Sequence, residues 1–558
     1  MQTKENRMKK KKRSPAVTVI VLIILVAAAG LLTNIIRSRM PTKERMDLLE
    51  FYGEAPEGEA ILILHSDIME KHAVLFGETA YLSLGIVNTY LNQRYYWDAE
   101  NRQIIYATPS EVTYAPASDE GGGDVWLHNE DVYLSIPYVQ RYTDIDVYYN
   151  HSPERVAIQY GFENLKAVTA KKNTAVRYQG GIKSPILCDV SAGSILYLAA
   201  ELENWAQVFT PDGYIGYVQK SVYEEASGEQ TARDSSIEQY SHTSFESPVN
   251  LVWHQVTVAD ANSYFESDTA AVSGVNVISP TWYTMTDNAG NIKDISSADY
   301  VSAAHNKGMQ VWALIDNFTS DMSTFEVLSH TASRQALIGN LVSSVVGCGA
   351  DGINIDFETL SEETGVHFLQ FLRELSVECH RNNLILSVDN PVPEDFTSHY
   401  DRAEQGRVVD YVIIMGYDEH YVGSVEAGSV ASLPWVEQGI ADTIAEVPPE
   451  KVILGIPFYC RLWKVMAESL SSEALGMGEA NRVVSEHKVE LYWDNVACQH
   501  VGSYDADGAN WKIWLEDAES IAAKTDLVNK YNLAGTAAWK LGLEESPVWT
   551  VISEHLQR

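Results

Sequence analysis

The stretch Asp351-Gly352-Ile353-Asn354-Ile355-Asp356-Phe357-Glu358 decides how the C-terminal part of this chain is read. Side chains of a strand alternate faces, so Asn354, Asp356 and Glu358 share one side and Ile353, Ile355 and Phe357 the other. Three polar groups in a row on a buried face are costly unless they are used or satisfied. Adjacent acids raise each other's pKa, which suits a carboxylic acid that donates a proton near neutral pH. On the residues alone, a satisfied polar cluster and a divalent-metal site stand as the alternatives to a catalytic role.

Around this strand the sequence repeats one pattern. Apolar runs fall at 251–256, 275–279, 310–316, 353–358, 384–390, 409–418, 451–458 and 534–541. Amphipathic helical segments separate most of them, for example 333–347 and 365–382. Buried runs alternating with helices imply parallel strands, and eight such units over about 300 residues predict a (β/α)8 barrel, the TIM-barrel fold. In that fold the strand C-terminal ends carry the chemistry. Here those ends hold Asp316 and Asn317, Asp356 and Glu358, Asp389 and Asn390, Tyr417 and Asp418, and Trp539 and Lys540.

The segment 351–358 resembles the D-x-x-D-x-D-x-E signature of glycoside hydrolase family 18, the chitinase family. Asp351, Asp356 and Glu358 match, and Asn354 stands where the signature has its middle Asp, as in bacterial and spore-wall N-acetylglucosaminidases. Further matching pieces are Ser279-Pro280-Thr281-Trp282, Met415-Gly416-Tyr417-Asp418, Gly455-Ile456-Pro457-Phe458-Tyr459, 514–521 and 537–542, so the resemblance covers most of 249–550. Residues 463–513 resemble the family's small inserted α+β element.

The resemblance implies a retaining, substrate-assisted glycosidase acting beside an N-acetyl group. Glu358 would be the acid and later the base, and Asp356 would orient the acetamido N–H. Tyr417 would donate its hydroxyl to the acetamido group. Asp418 would hold the sugar and Trp539 would floor it; Asn354, Met415 and Trp282 join them as expected substrate-binding residues. Neither a metal nor an organic cofactor is implied. Asp351 would prop the strand, in keeping with its parity. An amide at 354 cannot share a proton as an acid would, which puts the pH optimum in question.

Weaker features have plainer explanations. Gly347-x-Gly349-x-x-Gly352 precedes a strand, whereas a dinucleotide loop follows one. Trp282 and Trp435 are candidates for sugar stacking or for core. Arg461 reaches substrate or pairs with a carboxylate. His254 and His420 are expected at the polar rim, and Asn317-Phe318-Thr319 has glycosylation spacing.

The N-terminal part divides differently. Lys9 to Arg13 is an unbroken basic run, followed by an apolar stretch from Ala16 to Leu32 extended by Ile35 and Ile36. That length spans a bilayer core, and the basic flank places the N-terminus in the cytoplasm. A signal peptide cleaved near Ala27-Ala28-Ala29 is the rival reading; either exports the body. Residues 46–162 carry a repeat at an offset of 52, in which Glu78, Tyr81, Leu82, Ser83, Val87, Tyr90 and Tyr96 recur as Glu130, Tyr133, Leu134, Ser135, Val139, Tyr142 and Tyr148. Each copy predicts strand, short helix, strand. It loosely resembles the stalk domain of copper amine oxidases and of many bacterial surface proteins, and no copper site follows from it. Residues 163–225 resemble a bacterial Src-homology-3-like small β barrel in which Trp205, Tyr214 and Tyr217 could line a groove; 226–247 read as a polar linker.

The chain has 558 residues, 46 % apolar and 21 % charged, with a net charge of −36. This is globular composition, and its acidity argues against nucleic acid as a partner. Residues 1–45 carry +9, leaving −45 for the remainder. Five scattered cysteines form no zinc or disulfide pattern. The expectation is therefore a multidomain, membrane-anchored, extracytoplasmic glycosidase with its barrel at 248–558. Its expected substrate is peptidoglycan, with a chitin oligosaccharide or a non-catalytic, lectin-like wall-binding role as the alternatives. Its oligomeric state is left open.

Overall fold

The structure, a computed structural model, describes residues 15–228, 233 and 237–556. The basic run Lys9 to Arg13 and part of the linker, 229–232 and 234–236, lie outside the described residues. The chain divides into two compact units, one made of residues 1–93 with 117–237, the other of 94–116 with 238–558.

The second unit is built on eight parallel strands. They are β1 (Val249–His254), β2 (Val277–Met285), β3 (Gln310–Asp316), β4 (Gly352–Asp356), β5 (Ile385–Pro391), β6 (Tyr411–Met415), β7 (Val452–Pro457) and β8 (Gly535–Trp539). Each pairs with its neighbours in this order, and β8 and β2 both pair with β1, so the sheet closes on itself. This is the expected TIM barrel. β2 runs six residues past the expected end because a short strand, Ile292–Asp294, extends its ladder. β6 stops three residues early: Gly416–Asp418 leave the ladder, with Asp418 at φ 65°.

Two cores separate the faces of each strand. Ile353, Ile355 and Phe357 join the outer core between strands and helices. Trp253, Trp312, Leu314, Tyr411 and Ile413 fill the barrel interior. Gly352 is required by that filling, since a Cβ there would lie 2.9 Å from the Trp312 ring. Trp312 stacks on Tyr411 at 5.4 Å, and Phe245 closes the barrel floor against Trp312. The Tyr411 hydroxyl accepts the backbone N–H of Phe245. The floor is thus packed shut, and the opposite, C-terminal mouth is where polar side chains gather.

The helix following β4, α2 (Glu362–Arg381), shows how local chemistry sets the outer layer. Ser361 caps it by accepting Thr364 N–H; Glu362 and Glu363 open it and His380 and Arg381 end it, each opposing the helix dipole. Before it, α1 (Thr331–Cys348) ends at Gly349, whose φ of 79° makes the left-handed cap. That accounts for the second glycine of the G-x-G-x-x-G string. Between β7 and β8 stands a five-stranded antiparallel sheet with one helix, Met477–His487. It begins at Tyr459, four residues before the expected 463, because its first strand runs directly out of β7.

Residues 94–116 belong to this unit. The short strands Tyr96–Asp98 and Gln103–Ala107 pair antiparallel, and Gln103–Ala107 pairs onward with Val112–Ser118. Arg94 reaches Glu404 of α3 (Arg402–Val408) at 2.8 Å, and Glu404 also takes Arg373 of α2 at 2.8 Å. The Tyr96 hydroxyl meets His367 at 2.7 Å. Asp98 accepts Thr331 at 2.9 Å. Burial alone would raise the Asp98 carboxyl; hydrogen bonds from Gln103, Asn101 and Thr331 hold it below its ordinary value.

In the first unit, helix Pro15–Arg39 is exposed along its length and long and apolar enough to cross a membrane. The repeat is visible as paired elements. Strands Thr79–Ser83 and Asp131–Ser135 run antiparallel with Leu82 opposite Leu134, so the two copies meet about a local two-fold. Ser83 and Ser135 then cap their helices in the same way. Residues 167–225 form a seven-stranded sheet whose strand pairs are antiparallel.

Candidate active site

Three aspartates lie side by side at the mouth. In the parallel register Asp316 of β3 stands opposite Asp356 of β4. Ile355 stands opposite Val388, so the next residues, Asp356 and Asp389 of β5, are neighbours as well. Asp356 is 6 % exposed and Asp389 2 %. Burial, then Asp389, Glu358 and Asp316, push Asp356 well above the ordinary carboxylate range. Burial and Glu358 push Asp389 up to about 8, against an Asn354 amide that favours its ionised form. Among the described residues, Asp356 Oδ1 is buried without a hydrogen-bond partner.

Glu358 lies two residues beyond Asp356, past the end of the β4 ladder. It is held by its backbone: Asn317 Oδ1 accepts the Glu358 N–H, and Asn317 Nδ2 donates to the Glu358 carbonyl, both at 3.0 Å. Thr359 follows at φ 54°, a left-handed turn that a β-branched residue rarely adopts. Burial, then Asp418 and Asp316, raise the Glu358 carboxyl. It is the more open of the two β4 acids and therefore the one placed to exchange a proton with a bound molecule.

Around this acid row stand the residues after β6 and β8. Tyr417 is half-buried, its hydroxyl pushed up by burial, then Tyr459, Asp356, Asp389 and Glu358. Asp418 accepts the Tyr459 hydroxyl at 2.6 Å. Met415 ends β6, partly buried. Trp539 ends β8, its ring edge-on to Trp253 at 5.9 Å, and the Trp539–Lys540 peptide is cis. Asp356 and Trp539 line a cavity of about 320 Å3 with Gln255, Thr284, Lys293 and Phe318. Among the described residues no group of three or more His, Cys, Asp or Glu side chains is arranged to hold a metal ion.

One expected substrate contact is corrected. Asn354 has no exposed surface. Its Oδ1 accepts Trp253 Nε1 at 2.9 Å and Ser279 Oγ at 3.2 Å. Its Nδ2 donates to Asp389 at 2.8 Å and Ser387 at 3.1 Å. All its capacity is used inside the barrel. Trp282 is 1 % exposed, donates to Asn262 and packs edge-on to Tyr300, and it lines the same cavity as Asp356 and Trp539. His254 is buried against Tyr300 instead of lying at the rim. Asp351 accepts Val311 N–H and meets His305, each at 2.8 Å, and so props the strand. Arg461 donates to Ser472. Asp389, Asn317 and Tyr459 emerge as members of the site. Their sequence signal was polarity at or just past a strand end, which does not say which neighbour each one meets.

Comparison with known proteins agrees with this fold. The family model described as Glycosyl hydrolases family 18 matches residues 224–544, more than half of the chain. The Uncharacterized glycosylase YvbX of Bacillus subtilis is 26 % identical over 309 residues, covering 53 % of this chain and 89 % of that protein. The Cortical fragment-lytic enzyme of B. subtilis is 27 % identical over 246 residues, 42 % of this chain; the match spans just over half, 57 %, of that enzyme's length. Among solved structures, the Bacillus cereus spore cortex-lytic enzyme SleL superposes with a TM-score of 0.51 at 21 % identity, over 57 % of this chain and 76 % of that one. That likeness shows the fold.

Proposed function

Since the chain belongs to the glycosyl hydrolases of family 18 and is a glycoside hydrolase, we propose that it cuts β-linked N-acetylglucosamine glycans, with peptidoglycan as substrate, by substrate-assisted retention outside the cytoplasm. The observation that carries this reading is the pair Asp356 and Glu358, two raised acids on the inner face at the barrel mouth beside Tyr417. In the proposed reaction Glu358 protonates the glycosidic oxygen as that bond breaks. The substrate's own acetamido oxygen bonds to the anomeric carbon, giving an oxazolinium-type intermediate. Asp356 orients the acetamido N–H and offsets the positive charge, and Tyr417 donates to the acetamido oxygen. Asp418 holds the sugar, Trp539 floors it and Met415 lines the cleft. Glu358 then removes a proton from the water that opens the ring and returns to its acid form.

Peptidoglycan is favoured over chitin oligosaccharide because relatives include a cortical fragment-lytic enzyme and because helix Pro15–Arg39 suits an anchor. The test is digestion of purified peptidoglycan by residues 46–558 beside Glu358→Gln, read by mass spectrometry. Fragments ending in N-acetylglucosamine at the reducing end, absent from the control, are expected. Equal turnover in Glu358→Gln would sink the assigned role. No fragments from either glycan, with measurable binding, would favour the lectin-like alternative. For location, the full chain should sediment with membranes and residues 46–558 should not.

A further inference from the structure

The acid row contains more carboxyl groups than the proposed reaction uses. Asp389 belongs to the neighbouring strand, and its own strand partner Asn390 turns outward to Gln405 of α3 at 2.6 Å. Asp389 instead faces inward, 2 % exposed, beside Asp356. The groups that face this pair are Asp316 from β3, Glu358 from the end of β4, Tyr400 just before α3, Tyr417 beyond β6, and the neutral Asn354 and Trp253. Lys293 bears on Asp316, at the edge of the row. Two buried carboxylates side by side, with further acids around them, cannot both stay ionised, and one proton shared between them is the low-energy state. Asn354 cannot be that proton's carrier: an amide donates through N–H groups it never releases, and this one is already committed to Asp389 and Ser387. The unpartnered Oδ1 of Asp356 supplies the acceptor.

We propose that Asp389 is a positioning residue that shares one proton with Asp356 across the β4–β5 ladder. This inference rests on the family 18 reading of Asp356 given above. In the resting cleft the Asp389 carboxyl donates to the Asp356 carboxylate. When Asp356 turns to accept a substrate N–H, the proton stays on Asp389. The pair keeps a single negative charge throughout, and no bond to carbon forms at either residue. Asn354 sets the geometry from beneath by donating to the Asp389 oxygen.

Infrared titration of the full chain in detergent, with Asp389→Asn as the subtraction, tests the shared proton directly. A carboxylic-acid band that is lost near pH 8 in the unsubstituted protein and is missing from Asp389→Asn is expected. Kinetics on an N-acetylglucosamine tetrasaccharide test the role. Asp389→Ala should lower kcat about 100-fold with KM within about threefold. The exchange Asn354→Asp with Asp389→Asn, which moves the acid back onto β4, should recover about tenfold of that loss and shift the pH profile. Absence of the band, or Asp389→Asn with unchanged kcat and pH profile, would overturn the proposal. Full turnover in Glu358→Gln would instead remove the catalytic reading, and the infrared arm, which needs no turnover, still decides the shared proton.

Discussion

Asn317 acts on Glu358 without touching its carboxyl. Its two hydrogen bonds pin the backbone just where β4 ends and Thr359 turns left-handed. A displacement of about 1 Å at an acid can cost about 100-fold in rate. Asn317→Ala should therefore lower kcat by about 10- to 100-fold with KM little changed, as steady-state kinetics would read. Asp389 carries a second prediction. Its raised pKa means that between about pH 4 and about pH 8 the folded protein keeps a proton that the unfolded chain has released. Stability then falls as pH rises through that window. Asp389→Asn should lessen the fall, so its unfolding temperature should exceed the unsubstituted protein's increasingly toward pH 8, as calorimetry would show; Asp356 and Glu358, raised as well, keep the remainder. The sequence disclosed which way Asp356 and Glu358 face, because parity is local. It did not disclose that Asn354 serves Asp389, because lateral neighbours depend on register between strands 35 residues apart.

At the scale of elements, the eight strands were legible because each is a buried apolar run between helices. Their ends were less so, since Gly416–Asp418 keep an apolar-looking lead-in yet leave the ladder. The strands of 94–116 were not legible as part of the barrel unit. Tyr96 repeats as Tyr148 in sequence, yet it joins α1 and α2 through His367 and Arg334, contacts that no local pattern encodes. Glu404 is the centre of this attachment: 1 % exposed, it is shared by Arg94 and Arg373. Removing one member of a buried charge cluster leaves the others unpaired, at about 3–5 kcal/mol. Glu404→Ala should lose about that much stability by urea unfolding, whereas Lys166→Ala, at an exposed pair with Glu201, should leave it nearly unchanged.

For the whole molecule, charge is the property that composition discloses most directly. Residues beyond 45 carry −45, so the body repels an anionic polymer at long range. Screening shortens that reach from about 30 Å at 0.01 M salt to about 8 Å at 0.15 M. Turnover of peptidoglycan, which bears carboxylates, should rise severalfold over that range. Hydrolysis of a neutral N-acetylglucosamine oligosaccharide should stay flat. Equal salt responses would mean that the cleft, and not the acidic surface, governs encounter.

The split course of the chain through its two units has a consequence for biosynthesis. Arg94 precedes its partner Glu404 by 310 residues. On a ribosome the clasp strand is complete long before the helix it clasps exists, and the catalytic unit can be finished only when α3 has emerged. A nascent chain stalled at about residue 300 would therefore expose Arg94, Tyr96 and Asp98 to water, and limited proteolysis would find 94–116 open in that chain and protected in the completed one.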